Sequence, residues 1–455
     1  MSIYLGLGVF TLLAQNYLSR GFWGDEAWTS MISRLPYNQM LKTTAADFHP
    51  PGYYTVIELV YKFFPPTEVI SRIPSIVFFF LTVFMVYKLA SYVRGHQFGI
   101  VSAAVVALNP IFFRYAFEAR NYTMFAFAAT GSVFFLLELS KKINKFRAVS
   151  FILFTTLGVY THYYMLFVLG AQGLYLLLFD RKIFWRMMGL YTIIGVLFLP
   201  WLKVLLGQIA SVGSSYWIPP IDFKQTYFDA FERILGGESQ SIWRTILFSI
   251  SIILLLVSVI QHLVHKKFEK PYLLVWLWAI VPFILASLPG LKIDGVRFPF
   301  RPIFFWRYLI GASIPLSMIV VQASQKLPEK LFRISVGFIL ILSLVIDYLT
   351  FASQPRGFRE QYSENVVSKI KSSDTIVTVL PSFAEVIYYK ERNNLTNKLV
   401  VLPEGLVQFS GKSLLDTYVL DGKVTLSDDI GGKVFLMTPG PTTEIKDHGF
   451  KLKAQ

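Results

Sequence analysis

The chain has 455 residues, of which 54% are hydrophobic and only 16% are charged, and it contains no cysteine. Soluble globular domains carry about 25% charged residues, so this composition argues against a water-soluble fold. The formal net charge of +15 lies largely in short loops between apolar runs, and no basic cluster accompanies a nucleic-acid-binding motif. We therefore expect a bilayer as partner and no nucleic acid, while the lack of cysteine excludes disulfides and thiolate chemistry.

The apolar residues form runs of about 16 to 23 residues, near the length that an α-helix needs to cross a bilayer. A membrane β-barrel would instead show shorter segments of alternating polarity. Basic residues flank the stretch 149–179 on both sides, so the positive-inside rule predicts two helices there with a turn near His162. The fold class is thus predicted to be an all-α polytopic membrane bundle of about eleven helices. The predicted spans are 4–18, 69–90, 98–113, 122–139, two within 149–179, 187–206, 242–264, 272–288, 304–321 and 331–348.

The basic loops also predict orientation. The run 4–18 has neither a basic leader nor a cleavage site, so it is predicted to be a retained first span, with the amino terminus in the cytoplasm. The predicted outer segments are 20–68, 114–121, the turn near His162, 207–241, 289–303 and everything after 349. We predict a membrane domain at 1–351. Short β-like runs at 375–380, 398–402 and 433–437 alternate with turn signals, so we also predict a small extracytoplasmic α/β domain at 352–455.

The first outer loop carries an acidic pair, Asp25 and Glu26, between aromatic residues at the lip of a membrane helix. An ionised carboxylate at that depth loses hydration and needs a compensating partner, which favours a functional site. The alternative is a pair of acids that cap the next helix.

Farther along the loop, two prolines follow His49 and hold it in a rigid turn. Such an imidazole suits phosphate binding, metal ligation or proton transfer, although an ordinary loop histidine is the usual alternative.

Three further sets of polar residues follow the predicted outer ends of spans. Glu118, Arg120 and Tyr122 come from one short loop, where a local ion pair between the first two is the alternative interpretation. His162 and Tyr163 mark the turn of the short hairpin, where an interfacial aromatic belt is the alternative. Snorkelling would account for single arginines near helix ends. Three arginines interleaved with aromatic residues and prolines favour a phosphate headgroup instead. These arginines are Arg297, Arg301 and Arg307, the last of them followed by Tyr308.

Taken in order and by side of the membrane, these motifs resemble those of the bacterial GT-C glycosyltransferases. Among them the chain is most similar to the dolichyl-phosphate-mannose protein mannosyltransferase and aminoarabinose transferase-like group, from residue 1 to about residue 351. The resemblance implies an inverting hexosyl- or pentosyltransferase that takes sugar from a polyprenyl-phosphate donor at the outer face of the inner membrane. The acceptor would be a glycan, a glycolipid or a protein.

The resemblance also implies roles for individual residues. Asp25 becomes the candidate base, with Glu26 beside it, and Glu118 the second essential carboxylate. The donor phosphate would be bound by His49, Arg120, Arg307 and Tyr308, with His162, Tyr163 and Tyr122 as additional site residues. A lysine is usual in aminoarabinose transferases where this chain has His49.

No cofactor is certain from the sequence. Some relatives use a divalent metal ion, which Asp25, Glu118, His49 and His162 could ligate, but no metal-binding spacing singles them out.

Two other classes of protein remain as alternatives. A transporter or flippase-like binding protein should show internal repeats and helices broken near the midplane, which the sequence lacks. A non-catalytic scaffold gives no reason for the acidic pair.

Overall fold

A computed structural model describes residues 17–214, 218, 223–265, 269–290, 292–293, 296–297, 302–352, 357–402, 412–426 and 434–437. The predicted first span lies almost entirely outside these residues. The fold is mostly helical, as predicted, with eighteen α-helices in the described part of the chain. They are α1 Gly24–Ser33, α2 Tyr37–Ala45, α3 Gly52–Tyr61, α4 Glu68–Arg94, α5 His96–Ala107, α6 Pro110–Ala116, α7 Tyr122–Lys141, α8 Lys145–Thr161, α9 Met165–Phe179, α10 Arg181–Ser214, α11 Phe223–Gly236, α12 Ile242–His265, α13 Lys270–Ser287, α14 Ser313–Gln325, α15 Glu329–Ala352, α16 Phe358–Tyr362, α17 Phe383–Arg392 and α18 Lys412–Leu420.

Seven helical segments in the described part are long and apolar enough to cross a membrane. They are α4, α7, most of α10, most of α12, α13, the segment Trp306–Gln325 that includes α14, and α15. An eighth crossing results if α5 and α6, which are bent by 66° relative to each other, count as one span. Asn109 and Pro110 cause this bend: the Asn109 side chain accepts a hydrogen bond from Phe112 N–H, and proline suits the first position of the new helix.

The stretch 149–179 contains two helices, α8 and α9, which meet at His162 in an extended conformation. This is the hairpin that the flanking charges predicted. The two helices have 17 and 15 residues, which is close to or below the lower limit of about 17 residues for a spanning helix. The predicted total of about eleven spans is therefore not confirmed, since these helices are short and the first span lies outside the described residues.

The chain divides into two compact units, each assembled from separated segments. Unit 1 contains residues 1–72, 204–217 and 354–455, and unit 2 contains residues 73–203 and 218–353. The tail thus groups with the first outer loop. The division into domains 1–351 and 352–455 stays a prediction.

Unit 1 contains a small parallel sheet in the tail, with strand order β5-β4-β3-β6. The strands are β3 Thr375–Thr378, β4 Leu399–Val401, β5 Thr425–Leu426 and β6 Val434–Met437, and a two-stranded ribbon elsewhere consists of β1 Lys292–Ile293 and β2 Val296–Arg297. Three of the four sheet strands coincide with predicted β-like runs. A buried apolar cluster that includes Val377 and Val400 packs within the sheet region. Helix α17 also packs against α1, so the tail contacts the loop that carries the acidic pair.

In unit 2, loops predicted on the same side of the membrane contact each other. Arg147 pairs with Glu138 at 2.7 Å, and Arg94 lies 3.7 Å from Glu269, so these predicted cytoplasmic segments meet. Among the predicted outer segments, the Asn121 side chain donates a hydrogen bond of 2.8 Å to the carbonyl of Thr161. These contacts agree with the predicted grouping of loops, while the choice of the cytoplasmic side stays a prediction.

Candidate active site

The acidic pair opens helix α1 in unit 1. Trp23 precedes the helix in an extended conformation, and Asp25 and Glu26 occupy the first turn, where the helix dipole favours carboxylates. Asp25 is half-buried, whereas Glu26 is completely buried. The position of both acids at a helix start agrees with the alternative that they only cap the helix. The contacts of each side chain therefore decide between a functional role and a capping role.

Glu26 forms a buried, bidentate ion pair with Arg72. Arg72 Nε donates to Glu26 Oε1 at 2.8 Å and Nη2 donates to Oε2 at 2.6 Å, and both side chains are inaccessible to solvent. The remaining guanidinium nitrogen donates to the carbonyls of Leu18 and Arg20, each at 2.7 Å. Charge-assisted bidentate pairs are among the strongest hydrogen-bonded contacts in proteins. Glu26 therefore links the loop to the first turns of α4, and both of its carboxylate oxygens accept hydrogen bonds from Arg72.

Arg72 was missed by the sequence interpretation, which placed it inside an apolar span. Arginine within such a span is rare and usually has a specific partner. That signal could have identified it, but 46 residues separate it from Glu26, and only the fold pairs them. The two adjacent acids thus differ in environment, because Glu26 is held by an arginine and Asp25 remains half-exposed.

His49 lies in the turn before α3, also in unit 1. It is 8% exposed, and its Nδ1 is 3.5 Å from Asp47 Oδ2. Its ring centroid lies 4.4 Å from that of Phe48 and 6.5 Å from that of Trp28 on α1. The two prolines and this aromatic packing hold the imidazole in one place. The structure therefore brings His49 and the acidic pair onto neighbouring elements of one unit.

Glu118 belongs to unit 2 and is 2% exposed. Its Oε1 lies 3.6 Å from Nε of Arg114, which also forms an ion pair with Glu238. Glu238 accepts a hydrogen bond of 3.4 Å from the hydroxyl of Tyr115. The carboxylates of Glu118 and Glu238 therefore lie on either side of the Arg114 guanidinium. The sequence did not predict this role of Arg114.

Gly237 explains how Glu238 reaches this cluster. Its φ of +87° ends α11 in the left-handed region, where glycine is favoured. A Cβ atom at this position would lie 2.7 Å from Cβ of Pro110, so no larger residue fits. The Gly-Gly-Glu sequence after an amphipathic run was the available signal for this turn. It could have marked Glu238 as a positioned carboxylate.

Two hydrogen bonds connect the segment that follows Glu118 to α4. Ser75 Oγ donates to the carbonyl of Arg120 at 3.0 Å, and Thr123 Oγ1 donates to the carbonyl of Ser75 at 2.9 Å. The guanidinium of Arg120 lies 5.9 Å from the ring centroid of Tyr122. The two hydrogen bonds hold the backbone around Arg120 against α4, because moving it would break a buried hydrogen bond.

His162 is buried among aromatic rings at the hairpin turn. It stacks on Phe125 at 5.1 Å between centroids and lies 5.4 Å from Tyr308. Its Nδ1 accepts a hydrogen bond from the backbone N–H of Tyr164, so the proton of the neutral ring is on Nε2. The neighbouring Tyr163 accepts a hydrogen bond from Trp201 Nε1 at 2.9 Å. The turn thus brings His162 next to Tyr308, whereas Tyr163 faces α10.

Arg307 and Tyr308 lie in a 3₁₀ turn, Trp306–Ala312, that precedes α14. The predicted helix 304–321 is therefore α-helical only from Ser313 onward. The Arg307 guanidinium lies 5.1 Å and 5.2 Å from the ring centroids of Phe305 and Trp306. The tight turn keeps this cation close to aromatic rings at the start of the span. Arg301 and the side chain of Arg297 lie outside the described residues.

Tyr115 connects the charged groups of unit 2. Its ring lies 4.8 Å from that of Tyr122 and 6.2 Å from that of Trp306. The charges of Arg307, Glu238, Glu118 and Arg114 all act on its hydroxyl group. Unit 2 therefore assembles one mixed cluster of arginines, carboxylates and aromatic rings from the predicted outer segments 114–121 and 207–241 and from the start of the predicted span 304–321. Such a cluster can bind an anion and still hold its own charges in balance.

Within unit 1 the structure brings together Asp25, Glu26 and His49, and within unit 2 it brings together Glu118, Arg120, Tyr122, His162, Arg307 and Tyr308. A metal ion needs a set of ligands in one place. In the part of the chain that the structure describes, no three histidine, aspartate or glutamate side chains come close enough to hold one. The four candidate ligands Asp25, Glu118, His49 and His162 do not form such a set.

One family model matches part of the chain. The family model of dolichyl-phosphate-mannose-protein mannosyltransferase matches residues 48–205. This region includes His49, Glu118, Arg120 and His162, and it begins after the acidic pair. No curated protein matches the chain in sequence.

Solved structures of ArnT from Cupriavidus metallidurans resemble the fold over nearly the whole chain. The apo form aligns with a TM-score of 0.63 at 11% identity, covering 93% of this chain and 88% of that one. The form bound to undecaprenyl phosphate gives the same TM-score and coverage at 12% identity. The Archaeoglobus fulgidus oligosaccharyltransferase in its apo form is more distant, with a TM-score of 0.48 at 12% identity over 84% of this chain and 63% of that chain.

The resemblance that the sequence predicted is confirmed in two ways, by the family match in the first half of the chain and by the fold of the whole. The described helices include seven segments able to cross a membrane. The protein is a multi-pass membrane protein with the fold of ArnT, and it resembles the GT-C glycosyltransferases of the protein mannosyltransferase and aminoarabinose transferase group.

Proposed function

We propose that the protein is an inverting membrane glycosyltransferase that moves a hexosyl or pentosyl group from a polyprenyl-phosphate donor to an acceptor hydroxyl. The acceptor belongs to a glycan, a glycolipid or a protein on the outer face of the inner membrane, and the amino terminus faces the cytoplasm. The observation that carries the proposal is the contrast between Asp25, half-exposed at a helix start, and Glu26, which Arg72 engages fully. In this proposal Asp25 exchanges a proton, and the ion pair of Glu26 with Arg72 holds the loop that carries Asp25 in place.

The ArnT structure with bound undecaprenyl phosphate supports the choice of donor, because its fold aligns with 93% of this chain. The cluster in unit 2 offers the chemistry that such a lipid phosphate requires. Arg120 and Arg307 supply cationic donors, Tyr308 supplies a further hydrogen-bonding group, and the aromatic rings around Arg307 suit the start of an isoprenoid tail. The sequence also proposes His49, which belongs to unit 1, as a phosphate ligand.

The proposed reaction is a single displacement. Asp25 accepts the proton of the acceptor hydroxyl, and the oxygen forms a bond to the anomeric carbon as the bond from that carbon to the phosphate oxygen breaks. The electron pair of that bond stays on the phosphate, so polyprenyl phosphate leaves as an anion and the anomeric configuration inverts. Cationic side chains at the phosphate stabilise the charge that develops during departure. The acceptor oxygen is the nucleophile, so no covalent enzyme intermediate and no nucleophilic side chain are required.

Glu118 has a different role in this proposal. It is buried against Arg114, which Glu238 also contacts. Two carboxylates around one arginine fix the local charge balance, and they limit how far the site attracts anions other than a correctly placed phosphate.

Mass spectrometry of surface glycans, glycolipids and glycoproteins tests the proposal in cells with and without the protein. We expect one sugar modification to disappear when the gene is deleted and to return with the parent protein. Unchanged glycans of all three classes would contradict the proposal and favour a transporter or flippase-like binding protein.

A further inference from the structure

The C-terminal tail of unit 1 is packed against the acidic loop. Helix α17 contacts α1, and the backbone N–H of Phe22 donates a hydrogen bond of 2.7 Å to the hydroxyl of Tyr389. The ring of Phe22 also lies 4.8 Å from that of Tyr388. The tail therefore holds the residues that lead directly into Asp25.

Glu385, in the first turn of α17, faces the start of α1. It is 6% exposed, and its Oε2 has no hydrogen-bond partner. A Cβ atom placed on Gly24 would lie 3.8 Å from Oε2, in van der Waals contact. The carboxyl group of Glu385 thus lies directly against the residue that precedes Asp25.

The other buried glutamates described in unit 1 have arginine partners. Glu26 is held by Arg72, and Glu68 forms an ion pair with Arg392 and accepts a hydrogen bond of 3.2 Å from the hydroxyl of Tyr389. Burying a carboxyl oxygen without a partner costs free energy. An acid that only started helix α17 could remain solvated, so the buried, unpartnered oxygen of Glu385 calls for a function.

Glu385 and Asp25 also interact electrostatically. Burial raises the pKa of the Glu385 carboxyl well above its ordinary value, and the negative charges of Asp25 and, to a smaller extent, Glu26 raise it further, while the backbone N–H of Gly24 opposes the shift. A neutral carboxylic acid can donate a hydrogen bond, which a carboxylate cannot. A side-chain oxygen of Asp25 can accept such a hydrogen bond.

We propose that Glu385 is a positioning residue for Asp25: its carboxyl group donates a hydrogen bond to the Asp25 carboxylate and fixes the orientation in which Asp25 takes the acceptor's proton. This inference rests on the proposed function and extends it, because it makes the tail part of the catalytic apparatus. Glutamine is nearly isosteric and can donate through its amide. Alanine removes both the donor and the packing.

The first test uses three variants of the full-length protein: Glu385→Gln, Glu385→Ala and the control Asp416→Ala, which alters an exposed acid of α18 in the same tail. Displacing a reacting group slightly can lower the rate roughly 100-fold without changing substrate binding. We expect Glu385→Ala to lower the sugar modification in cells by about that factor per folded protein. Glu385→Gln should stay within several-fold of the parent, and Asp416→Ala should match the parent. Titration with a short-chain polyprenyl phosphate should give unchanged affinity for all three.

Melting temperatures of the purified variants separate positioning from folding. If Glu385→Ala is folded and fully active, or if Glu385→Gln is as inactive as Glu385→Ala, the positioning role is wrong. If Glu385→Ala loses phosphate affinity together with stability, Glu385 serves the fold and the proposal is overturned.

Infrared spectroscopy provides a readout that does not need activity. The difference spectrum between the parent and Glu385→Gln at neutral pH should contain the C=O stretch of a neutral carboxylic acid, and Asp25→Asn should shift that band. This result supports the pairing even if the parent transfers no sugar, in which case only the proposed function fails. A carboxylate band from Glu385, or a band insensitive to Asp25→Asn, would refute the pairing.

Discussion

The acidic loop of unit 1 and the mixed cluster of unit 2 use charge in opposite ways. In unit 1, Arg72 neutralises Glu26 and leaves the neighbouring Asp25 half-exposed beside Glu385. In unit 2, Arg114 lies between Glu118 and Glu238, and Arg307 lies among aromatic rings. In the proposed mechanism, Glu26 supports the proton acceptor Asp25 in the first arrangement, and the second arrangement supplies cations for the donor phosphate. The comparison teaches that, under this proposal, proton transfer and phosphate binding can be altered separately.

The largest expected effect is on the chemistry of unit 1. Asp25→Asn keeps the size and most hydrogen bonds of the side chain but removes the base, so we expect turnover to fall by about 100-fold to 10,000-fold. The melting temperature should stay near that of the parent, because Asp25 is half-exposed. Product formation per folded protein is the measurement. Near-normal transfer would remove Asp25 from its proposed role.

The adjacent acid should behave differently. Glu26→Gln leaves Arg72 buried without its counter-charge, and breaking a buried ion pair by removing one partner typically costs about 3–5 kcal/mol. We expect a large loss of thermal stability and of folded protein, measured by melting temperature and yield. The double variant Glu26→Leu with Arg72→Met serves as control, since it removes both charges and should recover part of the stability. If Glu26→Gln keeps the parental melting temperature but loses transfer, Glu26 acts in the chemistry.

A smaller effect should come from the phosphate side of the comparison. Arg307→Lys keeps the charge but loses the planar fork that matches phosphate and stacks on aromatic rings. We expect about tenfold weaker binding of a short-chain polyprenyl phosphate, roughly 1.4 kcal/mol. Arg333→Lys is the matched control, because Arg333 pairs with Glu329 at an exposed position. Equal affinity of Arg307→Lys and the parent would exclude a bidentate phosphate contact.

The smallest perturbation tests orientation and should leave activity unchanged. The chain has no cysteine, so single cysteines can replace the exposed residues Lys142 and Lys412. In intact cells an impermeant maleimide should label the second site and not the first, since the positive-inside rule places Lys142 in the cytoplasm. The reverse labelling pattern would invert the topology and move the candidate site to the cytoplasmic face.

The sequence predicted features that depend on local patterns. Apolar runs predicted most of the spanning helices, and basic flanks predicted the break at His162, because helix length and loop charge are properties of short segments. The β-like runs at 375–380 and 398–402 similarly gave β3 and β4. The parallel order of these strands could not be predicted, since it depends on crossovers through the tail.

Features that depend on distant contacts were missed. The pairing of Glu26 with Arg72, the approach of Glu238 to Arg114, and the position of Glu385 against Gly24 join residues far apart in the chain. No local periodicity encodes such partners. The sequence thus identified candidate site residues by type and place, and the fold distinguished the fully buried, ion-paired Glu26 from the partly exposed Asp25.

The most direct test of the central claim measures the lipid donor itself, because the proposed reaction consumes a polyprenyl-phosphate sugar whatever the acceptor. Mass spectrometry of membrane lipids would compare cells that contain the parent, Asp25→Asn or no protein. We predict that one polyprenyl-phosphate sugar accumulates equally in the second and third cells and is low in the first. Identical pools of every such lipid in all three would contradict transfer from a polyprenyl-phosphate donor.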